Sequence, residues 1–489
     1  MIVHPALHKE KDAANLVIQQ ETTGLLNLDE EEEDKVELIP LLVSGPPGNR
    51  FDFVYFADGY TKDDKDKFIA DARNLTLEIA VNQTFAAVAP LSNFWAAFIA
   101  SNERGIGVDG KPKDTWAGLY RPGTELRGVM YAHPERPRKA CALLGDACDQ
   151  PILLGNDPLY GGLGGEFTTI TASPFNGKLI LRHELGHSVI PVGEEYDGGW
   201  AYFGVNAHHN TSITTPWKHW YTAESTDRVE RSNMPLQDYA WTILNTTKAW
   251  STRFYSTGTF DSSLLRFSIS AFPVRDWVSV RLDGKEVDFE VVPDIGKDRW
   301  WYEIEGEALQ EGWHDIVYEL KNGEWEGETQ MCSVEMLEYG NEDEFVKTPG
   351  HYGLYPTYSF YNETSYRPTN EDCLMRQVTS TDFCTVCKEG LWLSILSRVS
   401  LIDDISYDCE SDIISLTLVS FPKEQDVTYS VTWYFDGEQI EEWDDLQEVN
   451  VDEHTVEIVK VKVELKTPEI RKDEKGYSVD EAEVVITEC

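Results

Sequence analysis

The chain has 489 residues with 86 acidic against 42 basic side chains, a formal charge of −44, which excludes the electrostatic footprint of a nucleic-acid or anionic-membrane binder. Its 41% hydrophobic and 12% aromatic content is ordinary globular usage, so the acidity belongs to folded surface. The length accommodates about two to four domains, and no apolar run approaches the roughly 18 residues of a membrane-spanning helix.

Residues 1–45 read as a polar N-terminal arm ending in the acid run Asp29 to Asp34. From Asn49 the pattern becomes regular. Phe51-Asp-Phe-Val-Tyr-Phe56 predicts a buried strand broken by Asp58-Gly59-Tyr60, and Thr61 with Asp64 forms a capping pair. The helix that follows has Phe68, Ile69, Ala72 and Leu75 at helical spacing, so the chain opens as mixed α/β. Ile152-Leu-Leu154 and Phe167-Thr-Thr-Ile-Thr171 read as strands flanking Tyr160-Gly-Gly-Leu-Gly-Gly165, whose glycines mark a turn or a close backbone approach. No Lys-Ser/Thr follows them, so they are not a phosphate loop.

A helix is predicted over 177–190, stopped by Pro191 and Gly193. Beyond about Trp250 the texture turns to strands at 265–270, 278–282, 287–291, 300–304 and 316–320, with Asp283-Gly284 and Asn322-Gly323 as hairpin turns. Residues 409–489 repeat that texture around an Asp436-Gly437 turn. Residues 401–489 hold 25 acids and 7 bases, so −18 of the total charge lies in this last segment.

The helix carries Leu181-Arg-His-Glu-Leu-Gly-His-Ser188. Histidines four apart project from one face of a helix, so His183 and His187 can reach one zinc ion, and Glu184 beside them is placed to act on a zinc-bound water. Catalytic zinc takes a third protein ligand. Pro191 and Gly193 turn the chain back toward Glu194 and Glu195, and Glu224 or Glu230 are more distant alternatives.

These residues resemble the IgA-peptidase family of zinc metalloendopeptidases, which is metzincin-like. The resemblance rests on Asn49-Arg-Phe-Asp-Phe-Val-Tyr-Phe-Ala-Asp-Gly-Tyr60, Tyr160-Gly-Gly162, His183-Glu-Leu-Gly-His187 and Gly193-Glu-Glu-Tyr196. It continues through Pro216-Trp-Lys218, Tyr366-Arg-Pro-Thr369, Cys373-Leu-Met-Arg376 and Phe383-Cys-Thr-Val-Cys387. It implies His183 and His187 as zinc ligands, Glu184 as general base, Glu195 as third ligand with Glu194 as alternate, and Met375 as the Met-turn residue beneath the site. The segment reads Glu-Glu-Tyr here, where the family more often has Asp-Glu-Tyr.

The expected fold is an α/β (α+β) metzincin-like zinc metalloprotease core with an inserted β-module and a C-terminal β-sandwich. The core spans 46–245 and 346–402, the module 246–345, and the Ig-like sandwich 403–489. The expected activity is hydrolysis of protein peptide bonds by a zinc-activated water, with a protein or peptide substrate, no nucleic acid, no membrane span, and a monomeric state assumed. The substrate would add as a further strand along 152–156 or 167–171, with Tyr196, Arg367 and Arg376 as candidate oxyanion donors. Two rival readings remain: a secreted β-sandwich glycoprotein that binds carbohydrate or protein around a structural or inactive zinc site, and a zinc amidase acting on a non-protein amide.

Eight cysteines and five sequons, at Asn74, Asn82, Asn210, Asn245 and Asn362, point to an extracellular protein made as a larger precursor with its signal removed. Cys373, Cys384 and Cys387 are expected to supply a disulfide between the Met-turn segment and the next helix. Cys141 with Cys148 and Cys409 with Cys489 are candidate bridges, and Cys332 is left over.

Overall fold

Phe51–Asp58 is buried from end to end, with Phe51, Phe53, Tyr55 and Ala57 in one core and Val54 and Phe56 in another. Only a strand inside a sheet covered on both faces has that double burial. The computed structural model describes residues 24–27, 35–82, 84–222, 228–435, 437–451 and 458–486. It places this strand at the centre of a seven-stranded mixed sheet. The strands are β1 (Gly24–Asn27), β2 (Lys35–Leu42), β3 (Phe51–Asp58), β4 (Ser92–Phe98), β5 (Gln150–Gly155), β6 (Gly162–Leu163) and β7 (Thr168–Thr171). Their order is β1-β2-β4-β3-β5-β7-β6. The four inner strands β4, β3, β5 and β7 run parallel, and β6 closes one edge antiparallel.

Helices α1 (Lys65–Leu77), α3 (Gly177–Val189) and α4 (Thr385–Leu396) share one core with a face of the sheet, through Phe68, Leu75, Leu181, Leu185 and Leu391. The other face is covered by the long segment between β4 and β5, including α2 (Glu135–Leu144). Asp58 organises that segment: its buried carboxylate accepts the amides of Ala117, Gly118 and Leu119 and the Thr115 hydroxyl, at 2.6–3.2 Å. The Thr61–Asp64 capping box precedes α1 as predicted. Part of the expected polar arm is instead structural, because Val36, Leu41 and Leu42 are buried and carry β2 into the sheet. The acid run Asp29 to Asp34 lies outside the described residues.

Two β-sandwiches accompany this unit. The first begins at Ser232, earlier than the expected 246. It pairs strands 232–238, 330–339, 262–270 and 299–307 in one sheet and 250–256, 312–320, 278–282 and 285–286 in the other. Phe254, Phe267, Val280, Tyr302 and Tyr318 fill the space between. Asp283 and Gly284 adopt the positive φ of a tight hairpin as predicted. Residues 287–291 do not form the expected strand, because the Arg275 guanidinium takes the carbonyls of Val287 and Phe289. Asn322-Gly323 lies in a longer connection between the two sheets.

The second sandwich has strands 402–408, 413–418 and 448–450 against 438–439, 428–435, 458–466 and 479–485. It is docked on the α/β unit by Arg50–Asp403 at 2.6 Å and by Asn49, whose amide reaches Ser400 and Asp403. No helix among the described residues is long and apolar enough to cross a membrane.

A charged cluster locks the first sandwich to the centre of the molecule. Arg376 pairs with Asp197 at 2.6 Å and with Glu371 at 3.1 Å, while Arg266 of the sandwich reaches Glu371 at 2.7 Å and Glu303 at 2.6 Å. Burial works against ionising Glu371, but the charges of Arg266, Arg376 and Arg367 prevail and hold its carboxyl at about 2, against an ordinary 4.5. A carboxyl depressed on folding contributes stability that is complete above its unfolded pKa and is lost as pH falls through its folded pKa. The unfolding midpoint is therefore expected to drop between pH 4.5 and about pH 2, and Glu371→Gln to be less stable at neutral pH with a shallower acid slope. Equal slopes in wild type and variant, measured by thermal denaturation, would refute this.

Candidate metal centre

The periodicity that places His183 and His187 on one face of α3 brings their Nε2 atoms to 3.2 Å from each other. Each ring is oriented from behind: His183 Nδ1 lies 3.1 Å from the Leu374 carbonyl, and His187 Nδ1 lies 3.2 Å from the Val192 carbonyl. Donation to those carbonyls leaves both Nε2 lone pairs free for a metal. Past Val189 the chain reverses and pairs with residues 201–205. The Gly193 amide donates to the Phe203 carbonyl, and the Glu194 amide to the Ala201 carbonyl at 2.7 Å. Asn206 clamps both backbone groups of Gly193.

This reversal delivers Glu194, and not the preferred Glu195, to the histidines. Glu194 Oε2 lies 3.3 Å from His183 Nε2 and 3.2 Å from His187 Nε2. Consecutive residues in extended chain point to opposite sides, so Glu195 turns away and its Oε1 accepts a hydrogen bond from Asn206. Of the distant alternatives, Glu230 is occupied by Arg228 and the Val346 amide, and Glu224 lies outside the described residues.

Three donor atoms 3.2–3.3 Å apart mark one face of a tetrahedron, whose centre would lie about 2.0 Å from each, the bond length of metal to imidazole or carboxylate. Glu194 Oε2 is buried with no hydrogen-bond partner besides the two imidazoles it faces. The residues present therefore fit a metal ion. Burial alone would raise the Glu194 carboxyl, but the facing imidazoles hold it well below the usual range. Burial likewise opposes charge on the imidazoles, yet Glu194 raises both, His187 to about 9.

Glu184 projects into the same cavity, of about 640 Å³. Burial raises its carboxyl, against the opposing charges of His183 and His187. The glycine segment passes directly over it: a Cβ on Gly162 would stand 3.1 Å from Glu184 Cγ, and one on Gly164 would stand 3.3 Å from Glu184 Oε2. Met375 is fully buried, and its sulfur would be 3.0 Å from a Cβ on Gly186 of α3.

Other expectations shift. β5 is paired on both sides and β7 lies inside β6, so the sheet edge beside the cavity is Gly162–Leu163 rather than 152–156 or 167–171. Arg367 serves the carbonyls of Pro356 and Asn370. Arg376 and Tyr196 both line the cavity, Arg376 paired with Asp197 and Tyr196 6.2 Å ring to ring from His183. Cys141–Cys148 is a disulfide, whereas Cys373, Cys384 and Cys387 are free thiols and do not form the expected bridge. Cys332 is also free. Cys409 is disulfide-bonded, and its expected partner Cys489 lies outside the described residues. Asn74, Asn210 and Asn362 are exposed and Asn245 is half-buried, while the Asn82 side chain is outside the described set.

The first sandwich supplies a cavity wall that the motifs do not reveal. Tyr239, Trp241 and Trp301 line it, with Arg299 stacked 4.3 Å from Trp301 and Arg127 5.0 Å from Trp200. Asp298 fastens this wall to α3, accepting from the Tyr160 amide, Ser173 Oγ and Asn176 Nδ2 at 2.5–2.9 Å. The clustering of tryptophans at 241, 300 and 301 was the available sequence signal.

A helix-borne histidine pair, a converging glutamate and the neighbouring Glu184 carboxyl in one cavity make up a candidate metal centre. Residues 39–237, about two fifths of the chain, match the IgA peptidase M64 family, which supports the resemblance read from the sequence. That family points to a metallopeptidase, with a bound metal and a protein substrate. No curated protein matches the chain. Among solved structures, a beta-porphyranase of glycoside hydrolase family 86 from the human gut bacterium Bacteroides plebeius is 16% identical over 22% of this chain and 20% of its own, with a TM-score of 0.17. A Bacillus licheniformis lipase in its propeptide form is 10% identical over 90% and 94%, with a TM-score of 0.21. A Paenibacillus cycloisomaltooligosaccharide glucanotransferase is 10% identical over 69% and 51%, at 0.14. These likenesses are too slight to inform fold or function.

The close approach of the glycine segment to α3 is testable. A Cβ on Gly164 would lie 2.7 Å from both the Glu184 carbonyl oxygen and His187 Cβ, contacts that only a backbone shift can relieve. Gly164→Ala is expected to destabilise the fold by about 1–3 kcal/mol in denaturant unfolding, and an unchanged midpoint would refute the contact.

Proposed function

We propose that this protein is a zinc-dependent metalloendopeptidase in which His183, His187 and Glu194 hold the ion and Glu184 is the general base. The observation that carries the reading is the triangle of donor atoms at 3.2–3.3 Å, with Glu184 in the same cavity. Two neutral imidazoles and one carboxylate suit zinc, and leave one tetrahedral position open. A zinc ion held by His183, His187 and Glu194 would supply Lewis acidity for activating water near neutral pH and polarising a scissile carbonyl.

The chain's own groups do the rest. Glu184 takes a proton from the attacking water and returns it to the leaving amine, and its burial moves its basicity toward the working range. An extended substrate would lie along the β6 edge, Gly162–Leu163, with its side chains against the aromatic wall of the inserted sandwich. Met375, buried against Gly186 of α3, supports a metzincin-like arrangement. The Cys141–Cys148 bridge and the exposed sequons at Asn74, Asn210 and Asn362 support secretion into an oxidising compartment.

Glu184→Gln is expected to retain its zinc and to lose about 10²–10⁴-fold in cleavage of a proteome-derived peptide library. Equal activity in both proteins would overturn the mechanism. Glu194→Ala is expected to lose the ion of this site by metal analysis. Hydrolysis of small amides without attack on peptides would shift the assignment to an amidase.

A further inference from the structure

Behind the catalytic triangle, Glu195, Cys373, Cys384 and Cys387 each turn one donor atom into a common point, all within 4.8 Å of one another and all from buried residues. Cys373 Sγ lies 3.7 Å from Cys387 Sγ, and Cys387 Sγ lies 3.5 Å from Glu195 Oε1. A disulfide requires about 2.05 Å between sulfurs, so these thiols are packed and unbonded. A tetrahedron with zinc–sulfur bonds of about 2.3 Å and a zinc–oxygen bond of about 2.1 Å has sulfur–sulfur edges of about 3.8 Å and sulfur–oxygen edges of about 3.6 Å. Both observed distances match.

The chemistry of the pocket points the same way. Glu195 Oε2 is buried without any hydrogen-bond partner, although an unpaired carboxylate oxygen is costly to bury. Thiols offer such a neighbour only weak S–H donors, whereas a cation compensates it fully. The spacing is also that of a metal knuckle: Cys384-x-x-Cys387 opens α4, and the Cys384 amide donates to Cys373 Sγ at 3.4 Å. Arg376 Nη1 donates to the Glu195 carbonyl at 3.1 Å, which fixes the backbone that carries the carboxyl.

We propose that Cys373, Cys384, Cys387 and Glu195 form a second, closed zinc site of structural role. Four protein ligands leave no open position, which separates it from the three-ligand catalytic centre. It joins the two segments that build that centre. Glu195 follows Glu194 and donates its amide to the Met375 carbonyl at 3.1 Å, and Cys373 precedes Leu374, whose carbonyl orients His183. This positioning consequence rests on the proposed catalytic site, while the second site itself does not.

The test is metal stoichiometry on the full chain purified under reducing conditions. Wild type is expected to hold two zinc ions, Glu194→Ala one, and Cys384→Ser one. If Cys384→Ser fails to fold, cobalt-loaded Glu194→Ala gives the same answer, because its remaining ion must show thiolate-to-cobalt charge-transfer absorption in the near ultraviolet. A single zinc in wild type that disappears in Glu194→Ala, cobalt without sulfur bands, or a disulfide among the three cysteines in peptide mapping of the native protein would overturn the proposal. Two zinc ions with no peptide cleavage would leave this site standing and remove only the proposed activity.

Discussion

The constraint on which the molecule depends is the convergence of three donor atoms onto one point in a buried place. Two imidazoles and a carboxylate 3.2–3.3 Å apart must be held against desolvation and against the tendency of each side chain to find a private partner. The structure spends much of its architecture on this. The last of the four parallel strands, β7, leads into α3, whose periodicity fixes two donors. The third arrives by a chain reversal held by the Gly193 and Glu194 amides and by Asn206.

Orientation of the donors comes from sequence-distant elements. Leu374, almost two hundred residues beyond His183, sets the imidazole through its carbonyl. The inserted sandwich participates as well: Asp298 binds the segment before α3, and Arg266 ties the sandwich to Glu371 and thereby to Arg376. Core and insertion are thus one mechanical unit around the cavity, and removing the insertion would strip both a wall and a brace from the site.

How much of this could be read in the sequence follows from the range of the interactions. His183 and His187 were legible because the helix period alone decides that they share a face, and Glu184 because it adjoins the first of them. Glu194 and Glu195 were not, since in irregular chain after Val189 no period states which of two neighbours faces inward. That choice is made by pairing with Ala201 and Phe203. The buried strand at Phe51 and the capping box at Thr61 were local and legible. The edge strand escaped because two residues between glycines carry no alternation, and residues 287–291 misled because their alternation is real while Arg275 holds their carbonyls. The cysteines were visible as a set, but whether they bond to each other or gather around Glu195 is decided by positions in space.

The net charge illustrates the same point about scale. A total of −44 suggests at first a preference for basic substrates, yet the field of exposed charges decays over about 8 Å at physiological ionic strength, and −18 of the total lies in residues 401–489. Inside the cavity the balance is different. Arg127 and Arg299 stack on aromatic rings, while Glu184, Glu194 and Glu303 stand opposite in the same lining. A peptide entering this space meets mixed charge on an aromatic wall at low local dielectric, where individual groups act more strongly than the distant surplus. On the proposed reading, selectivity would be set by the wall that the inserted sandwich brings to the metal centre, and an exchange of residues at Tyr239, Trp241 and Trp301 would alter it more than neutralising many surface acids.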